Sequence, residues 1–260
     1  MLLTTQGLVL HTTKYAETSI IAKVFTRELG CCSYIVKGVR SARSRAKQNL
    51  MQPLSHLEMT VYNNPKKQLQ YIKEMRPATP IGSLSTDGVR MALLFFMDEV
   101  LYKALKDNEP NPALFDYVVD ELQLLQDSQQ TAAASESVTM RSNAHFPIRF
   151  LLRTAHFLGI EPMDNYSSRE PLFNLKEGRF LSTPTPTAVA ADPDADYFLD
   201  PHASIQIHSC LSSTRHNGSE PSLNASQRST TLNNLIEYYH VHLSDFKNFK
   251  SHEVLHAVLR

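Results

Sequence analysis

Acidic residues are scarce in the first third of this 260-residue chain: residues 1–80 contain four Asp or Glu against twelve Lys or Arg. The sequence holds 26 of each sign in total, so residues 81–260 carry 14 bases against 22 acids, and a formal net charge of zero conceals +8 followed by −8. Cysteine is nearly absent too. Cys31, Cys32 and Cys210 cannot build a disulfide framework, and without a Cys-x-x-Cys pair no thiolate zinc module is expected. Buried thiols in a reducing compartment are the expectation. Long apolar runs are missing: MALLFFM at 91–97 falls far short of the roughly 20 residues that cross a bilayer. The opening MLLTTQGLVLHTTK has no basic leader, and Gln6 and His11 interrupt any secretory core, which reads as a soluble cytoplasmic protein without membrane partners. A Gly-rich phosphate loop, a dinucleotide fingerprint and a nucleophile elbow are likewise absent. With no catalytic residue to nominate and no cofactor implied, the chain reads as non-enzymatic.

What the chain does contain divides into a β-rich part and a helical part. GLVLHTT, TSIIAKVFT, CCSYIVKG, LSHLEMTVY and KKQLQYIKEM are five short runs separated by turn residues. In LEMTVY, Leu57, Met59 and Val61 alternate with Glu58, Thr60 and Tyr62, the period of a half-buried strand. Five strands in about 75 residues predict a small barrel of OB type over residues 1–80.

Beyond Pro80 the period becomes helical. Val89, Leu93, Phe96, Val100 and Ala104 share one face of VRMALLFFMDEVLYKALK, and Leu94 and Phe95 widen that face as for a buried helix. NPALFDYVVDELQLLQ starts with Asn111 as N-cap and Pro112 at the first helical position, with Leu114, Val118, Leu122 and Leu125 inward. Residues 128–143 are polar and read as a flexible link. HFPIRFLLRTAHFL is a third helix, stopped at Gly159. An irregular Ser/Thr/Pro-rich segment is expected over about 164–230, then helices in TLNNLIEYYHVHL and SHEVLHAVL, the last capped by Ser251. The whole is expected to be an α+β protein: a barrel over 1–80 and a helical domain over 81–260.

The acid-free stretch KGVRSARSRAK places Lys37, Arg40, Arg43, Arg45 and Lys47 between two strands, with small spacers that let a polymer backbone approach. Lys14, Lys23, Lys66 and Lys67 complete the candidate nucleic-acid-binding set, and Lys73 and Arg76 add to the charge. A polyanion is the partner such a surface implies, because each neutralised phosphate releases condensed counterions. Tyr15, Phe25, Tyr34, Tyr62 and Tyr71 lie among these charges; bases stack on such rings, but strand aromatics more often fill a barrel, so one or two at most are expected to face a nucleic acid.

One enzyme-like pattern competes. His252-Glu253-Val254-Leu255-His256 fits the HExxH arrangement of zinc peptidases, two histidines one turn apart with a glutamate to activate water. Only Ala257, Val258, Leu259 and Arg260 follow, and none can be a third ligand. An amphipathic helix packed through Val254, Leu255 and Val258 is the simpler expectation, and no metal site is predicted. His240 and His242, two apart on a helix, face different ways and read as surface residues.

The run from Gly7 to Met59 resembles the DNA repair and recombination mediators of the RecO family. The likeness rests on the Lys14-Tyr15-x-Glu17 turn, Val24-Phe25-Thr26, Gly30, Lys37-Gly38-x-Arg40 with its basic loop, and Leu50-x-Gln52-Pro53. Phe157-Leu158-Gly159-Ile160-Glu161-Pro162 is similar to the family's second signature, and SHEVLHAVL to its terminal helix. The resemblance implies an N-terminal OB-fold and a helical domain. It also implies binding of single- and double-stranded DNA, strand annealing, and work with RecR to load recombinase on DNA coated by single-stranded DNA-binding protein. Association with the nucleoid would follow. Family members hold the acidic, Phe-terminated tail of that coating protein in a hydrophobic pocket with basic residues, for which Arg149, Phe150 and Arg153 are the candidates. Many relatives carry a four-cysteine zinc module where this chain reads MDNYSSREPLFNLKEGRFL, so Phe173, Leu175 and Phe180 would have to hold that region by packing. A protein-interaction adaptor whose basic surface docks an acidic peptide, and a zinc hydrolase at His252 and His256, are the alternatives.

Overall fold

A computed structural model describes residues 1–39, 44–64, 66–78, 88–106, 108–127, 136–182, 197–216 and 220–258, with backbone only for 136–142 and 216. Five strands, β1 (Leu2–Tyr15), β2 (Ser19–Thr26), β3 (Gly30–Val36), β4 (His56–Tyr62) and β5 (Leu69–Pro77), close into a barrel in the order β1-β2-β3-β5-β4. The first strand is long because it serves two neighbours. Residues Leu2 to Leu8 pair with β4, and Gly7 to Tyr15 pair with β2 across an irregularity between Val9 and His11. The barrel closes through a short parallel pairing of β3 with β5, Ser33 to Ile35 against Leu69 to Tyr71. Alternate residues Ala22, Val24, Tyr34, Leu57, Met59 and Val61 fill the interior. This is the OB-type barrel the strand periodicity predicts.

Helix α1 (Arg45–Leu50) lies in the connection between β3 and β4. The Ser44 hydroxyl donates to the Val39 carbonyl and so ties together the two chain ends flanking residues 40–43. Gly30 is required at the β2–β3 turn: its φ is +69°, and a Cβ there would stand 2.5 Å from the Glu109 backbone.

Helices α2 (Gly88–Ala104) and α3 (Pro112–Asp127) pack against the barrel. Phe115 meets Phe25 edge-on at 5.5 Å, the Asn108 amide donates to the Cys31 carbonyl at 3.0 Å, and Arg27 makes two 2.8 Å bonds to Asp116. The Asn111 side chain accepts from the Leu114 amide at 3.0 Å, the cap expected from sequence, and Leu114, Val118, Leu122 and Leu125 are buried. One expectation fails on α2: Leu94 is buried but Phe95 is 49% exposed, because the helix has a solvent face at that angle and is not buried all round. By compactness the chain forms two units, Met1–Ala133 and Ala134–Arg260, so these two helices group with the barrel although the strands end at Pro77.

The second unit contains α4 (Glu136–Phe157), a hairpin of β6 (Leu172–Asn174) and β7 (Arg179–Leu181), α5 (Pro201–His216), α6 (Ala225–His242) and α7 (Ser251–Val258). Helix α4 extends back over residues expected to be a link, and α5 lies inside the segment expected to be irregular. For α5 the cause is visible. Ser, Thr and His dominate α5, yet Ala203, Ile207, Cys210 and Leu211 recur at helical spacing and are buried, and the Asp200 carboxylate caps the His202 and Ala203 amides at 2.8 and 3.0 Å. Helix α6 begins six residues earlier than its apolar pattern, at a capping box formed by Asn224 and Gln227.

Phe173, Leu175 and Phe180 are all buried, and the Asn165 side chain clasps Phe180 from both sides, accepting from its amide and donating to its carbonyl at 2.9 Å. Tyr238 and Tyr239 donate to the Ile160 and Leu151 carbonyls at 2.6 Å, pinning α6 to the end of α4 and the turn after it. Helix α7 packs through Leu255 alone of the three residues expected, since Val254 and Val258 are exposed. Among the described residues no helix is long and apolar enough to cross a membrane.

Candidate nucleic-acid interface

The β4–β5 hairpin positions the most informative side chains. Inward Met59 and Val61 force Tyr62 outward, and Tyr62 pairs directly with Tyr71 across the hairpin. Both rings therefore stand on the outer face, 47% and 39% exposed. Lys73 is exposed two residues further on, at the register shift between the Val61–Ile72 and Thr60–Glu74 pairs. From the turn just after β3, Lys37 brings its ammonium 5.5 Å from the Tyr71 ring centroid, a cation–π contact. Helix α1 supplies Lys47. Lys37, Lys47, Tyr62, Tyr71 and Lys73, with one acid, Glu74, line an open groove of about 790 Å³.

The other candidate cations stand elsewhere on the first unit. Lys66 and Lys67 are at the hairpin tip, on a loop held by Gln70, which accepts from the Asn64 amide and donates to the Asn64 and Lys67 carbonyls. They line a separate cavity of about 340 Å³ with Glu28, Leu29 and Asn108. Lys14 is the next-to-last residue of β1, and Lys23 lies mid-β2 with its ammonium 5.2 Å from the Tyr102 ring on α2; neither lines the groove. Arg45 is exposed at the start of α1. Arg40 and Arg43 fall outside the described residues.

Ion pairing sorts these charges further. Arg76 is matched by Glu58 on the facing strand at 2.8 and 2.9 Å, and Arg27 by Asp116, so neither presents a free cation to a polymer. Among the described residues Lys14, Lys37, Arg45, Lys47, Lys66 and Lys67 form no ion pair. Lys73 approaches Glu74 only to 4.0 Å with both side chains solvated, an interaction worth little. Of the barrel aromatics, Phe25 and Tyr34 are core residues, and burial pushes the Tyr34 phenol well above its usual range. Tyr15, Tyr62 and Tyr71 are exposed, and of these Tyr62 and Tyr71 line the groove.

In the second unit, α4 presents Arg149 and Arg153 to one small cavity of about 210 Å³, walled by Ile148, Cys210, Thr214 and Pro221. His145 also lines it; burial lowers its pKa first, and the nearby Arg228 and Arg149 charges lower it further. Phe150 does not reach this cavity. It is fully buried and stacks on Phe146, whose ring also lies 5.5 Å under the Arg149 guanidinium. Glu220, a residue sequence reasoning did not single out, is on the rim. Burial pushes the Cys210 thiol up to about 12, which keeps it a neutral wall.

The HExxH histidines do not converge on a metal. Their rings are 5.8 Å apart and nearly perpendicular; His252 stacks on Phe249, and His256 Nε2 is 3.3 Å from Asn233 Oδ1. No group of three or more His, Cys, Asp or Glu among the described residues could hold an ion. His242 Nε2 meets the Leu175 carbonyl at 2.9 Å, while His240 lies against Phe246 and Glu237, so the two do face apart.

A closed OB-type barrel carrying outward tyrosines and unpaired lysines, continued by helices, defines an OB-fold protein with a helical extension. Comparison with known proteins narrows that class. The family described as Recombination protein O N terminal matches residues 1–81, and that described as Recombination protein O C terminal matches residues 85–169. The chain is 31% identical over 255 residues to the DNA repair protein RecO of Phocaeicola vulgatus, covering 98% of each. It is 30% identical to those of Flavobacterium psychrophilum, over 99% of each chain, and Bacteroides fragilis, over 98% of each. The chain belongs to the RecO family of DNA repair proteins.

Proposed function

We propose that the groove between α1 and the β4–β5 hairpin binds DNA, single strands in preference to duplex. The observation that carries this reading is the Tyr62–Tyr71 pair with Lys37 against one ring and Lys47 and Lys73 beside it. Exposed rings offer bases a stacking surface worth roughly 1–3 kcal/mol per base, which a duplex with its bases already stacked cannot use. Lysines that neutralise backbone phosphates bind any sequence, because no base-edge readout is involved. Duplex DNA would be held by the same cations, more weakly, with Arg40, Arg43, Arg45, Lys14, Lys23, Lys66 and Lys67 as further contacts.

Strand annealing follows from binding two strands through backbone charge while leaving base edges free. Family membership supports the finer reading that the protein cooperates with RecR to load recombinase on DNA coated by single-stranded DNA-binding protein. The cavity at Arg149 and Arg153 suits the acidic tail of that coating protein: two guanidinium groups for carboxylates, with Ile148 and Pro221 as apolar wall. In this reading the barrel holds DNA and the helices serve partners.

The test is a titration of labelled single-stranded DNA against the full chain and a Lys37→Glu/Lys47→Glu variant. Both side chains are exposed, so the fold should persist while affinity falls more than 10-fold. An unchanged affinity would reject the groove. A wild-type protein that binds an acidic peptide but no DNA would favour an adaptor instead.

A further inference from the structure

The cavity beside α4 already holds a negative charge of its own. Glu220 lies in the connection between α5 and α6, and its Oε1 is 3.6 Å from Arg149 Nη1. That separation is an ion pair without a hydrogen bond, and the two side chains keep 33% and 35% of their exposure. Burial raises the pKa of Glu220 and outweighs the opposing pull of Arg149. The carboxylate is thus partly desolvated and makes no hydrogen bond to Arg149, so the pair holds it only weakly.

The segment that carries Glu220 is anchored on its far side. Arg228 Nη1 donates to the Leu223 carbonyl at 2.8 Å, and Asn224 starts α6 with its own capping box. Withdrawing Glu220 from the cavity therefore costs α6 neither its cap nor its anchor. A better ligand for the site is a carboxylate-rich chain that reaches Arg149 and Arg153 together and covers Ile148.

We propose that Glu220 is an internal competitor for this cavity, occupying Arg149 in the free protein and displaced by an acidic peptide. The proposal rests on the reading of the Arg149–Arg153 cavity as an acidic-tail site. Apparent affinity for the peptide is then the intrinsic affinity reduced by the fraction of molecules in which Glu220 has left. The pocket discriminates by this means: one stray carboxylate gains nothing over the residue already present, whereas a run of them ending in a free C-terminus does.

Fluorescence anisotropy of a labelled short peptide of aspartates ending in a phenylalanine carboxylate tests it, with full-length wild type, Glu220→Gln, Arg153→Ala and Arg149→Ala, each checked for an unchanged thermal midpoint. Glu220→Gln should bind about 3- to 10-fold more tightly than wild type. That gain should vanish when Arg149→Ala is added, because the competitor acts through Arg149. Binding by wild type that Arg153→Ala loses but Glu220→Gln leaves unchanged or weakens overturns the competitor and leaves the tail site standing. Binding that Arg153→Ala leaves intact, or absence of binding from both wild type and Glu220→Gln, overturns both.

Discussion

Tyr71 and Asp98 show how strongly one residue's environment sets its role. Tyr71 is outward because its neighbour Gln70 turns inward to hold the hairpin loop, and it is the ring against which Lys37 rests. Tyr71→Ala should weaken single-stranded DNA binding by about 1–3 kcal/mol and duplex binding by much less, measured by parallel titrations. Asp98 on α2 is a different case: its Oδ1 is buried without a hydrogen bond, and burial, reinforced by Glu99, pushes its pKa up to about 8. The folded state holds that proton more tightly than the unfolded chain, whose carboxyl titrates near 4. Stability therefore falls as pH rises from about 4 to about 8 and levels off above. Asp98→Asn removes this slope, and chemical denaturation should show it more stable than wild type by about 1–3 kcal/mol at pH 8, with the difference shrinking toward pH 5.

Among the elements, the strands were readable because a half-buried strand must alternate, and LEMTVY does so residue by residue. Tyr62 could be placed outward on that ground alone; Tyr71 could not, since Gln70, Tyr71 and Ile72 break the pattern. Helix α5 was unreadable for the opposite reason. Its buried stripe is built from Ala203, Ile207, Cys210 and Leu211 within a run of Ser, Thr and His, so polar composition outweighed a spacing that was nonetheless present. Its start depends on Asp200, the only side chain seen to cap it among the described residues. Asp200→Ala should cost about 1 kcal/mol, seen as a fall of roughly 2–4 °C in the thermal midpoint. Phe150 likewise belonged to the inner face of α4, one position from the Arg149 that reaches the cavity.

On the scale of the whole molecule, an uncharged total conceals a basic first third, and ion pairing decides how much of that charge remains for a polyanion. Arg27 and Arg76 are spent on Asp116 and Glu58, while the groove lysines remain available. Log affinity for single-stranded DNA should fall linearly with log salt. Three groove lysines alone give a slope of about −2, and each additional cation engaged adds about −0.7. Titrations between about 50 and 200 mM salt measure it; a slope near zero would exclude charge-driven binding by the barrel. The same segregation leaves residues 81–260 with 14 bases against 22 acids, among which Arg149 and Arg153 line one cavity together.

Composition and periodicity were enough to establish a basic five-stranded barrel followed by helices, because burial of alternate residues and excess of one charge are properties of local chain order. Which cations share a surface was settled only by folding. Parallel closure of β3 on β5 sets Lys37 beside Tyr71, cross-strand pairing neutralises Arg76, and the turn of α4 sends Arg149 to a cavity and Phe150 to the core. Contacts between residues far apart in the chain leave no periodic trace in it, and these contacts decide where the charge is free to act.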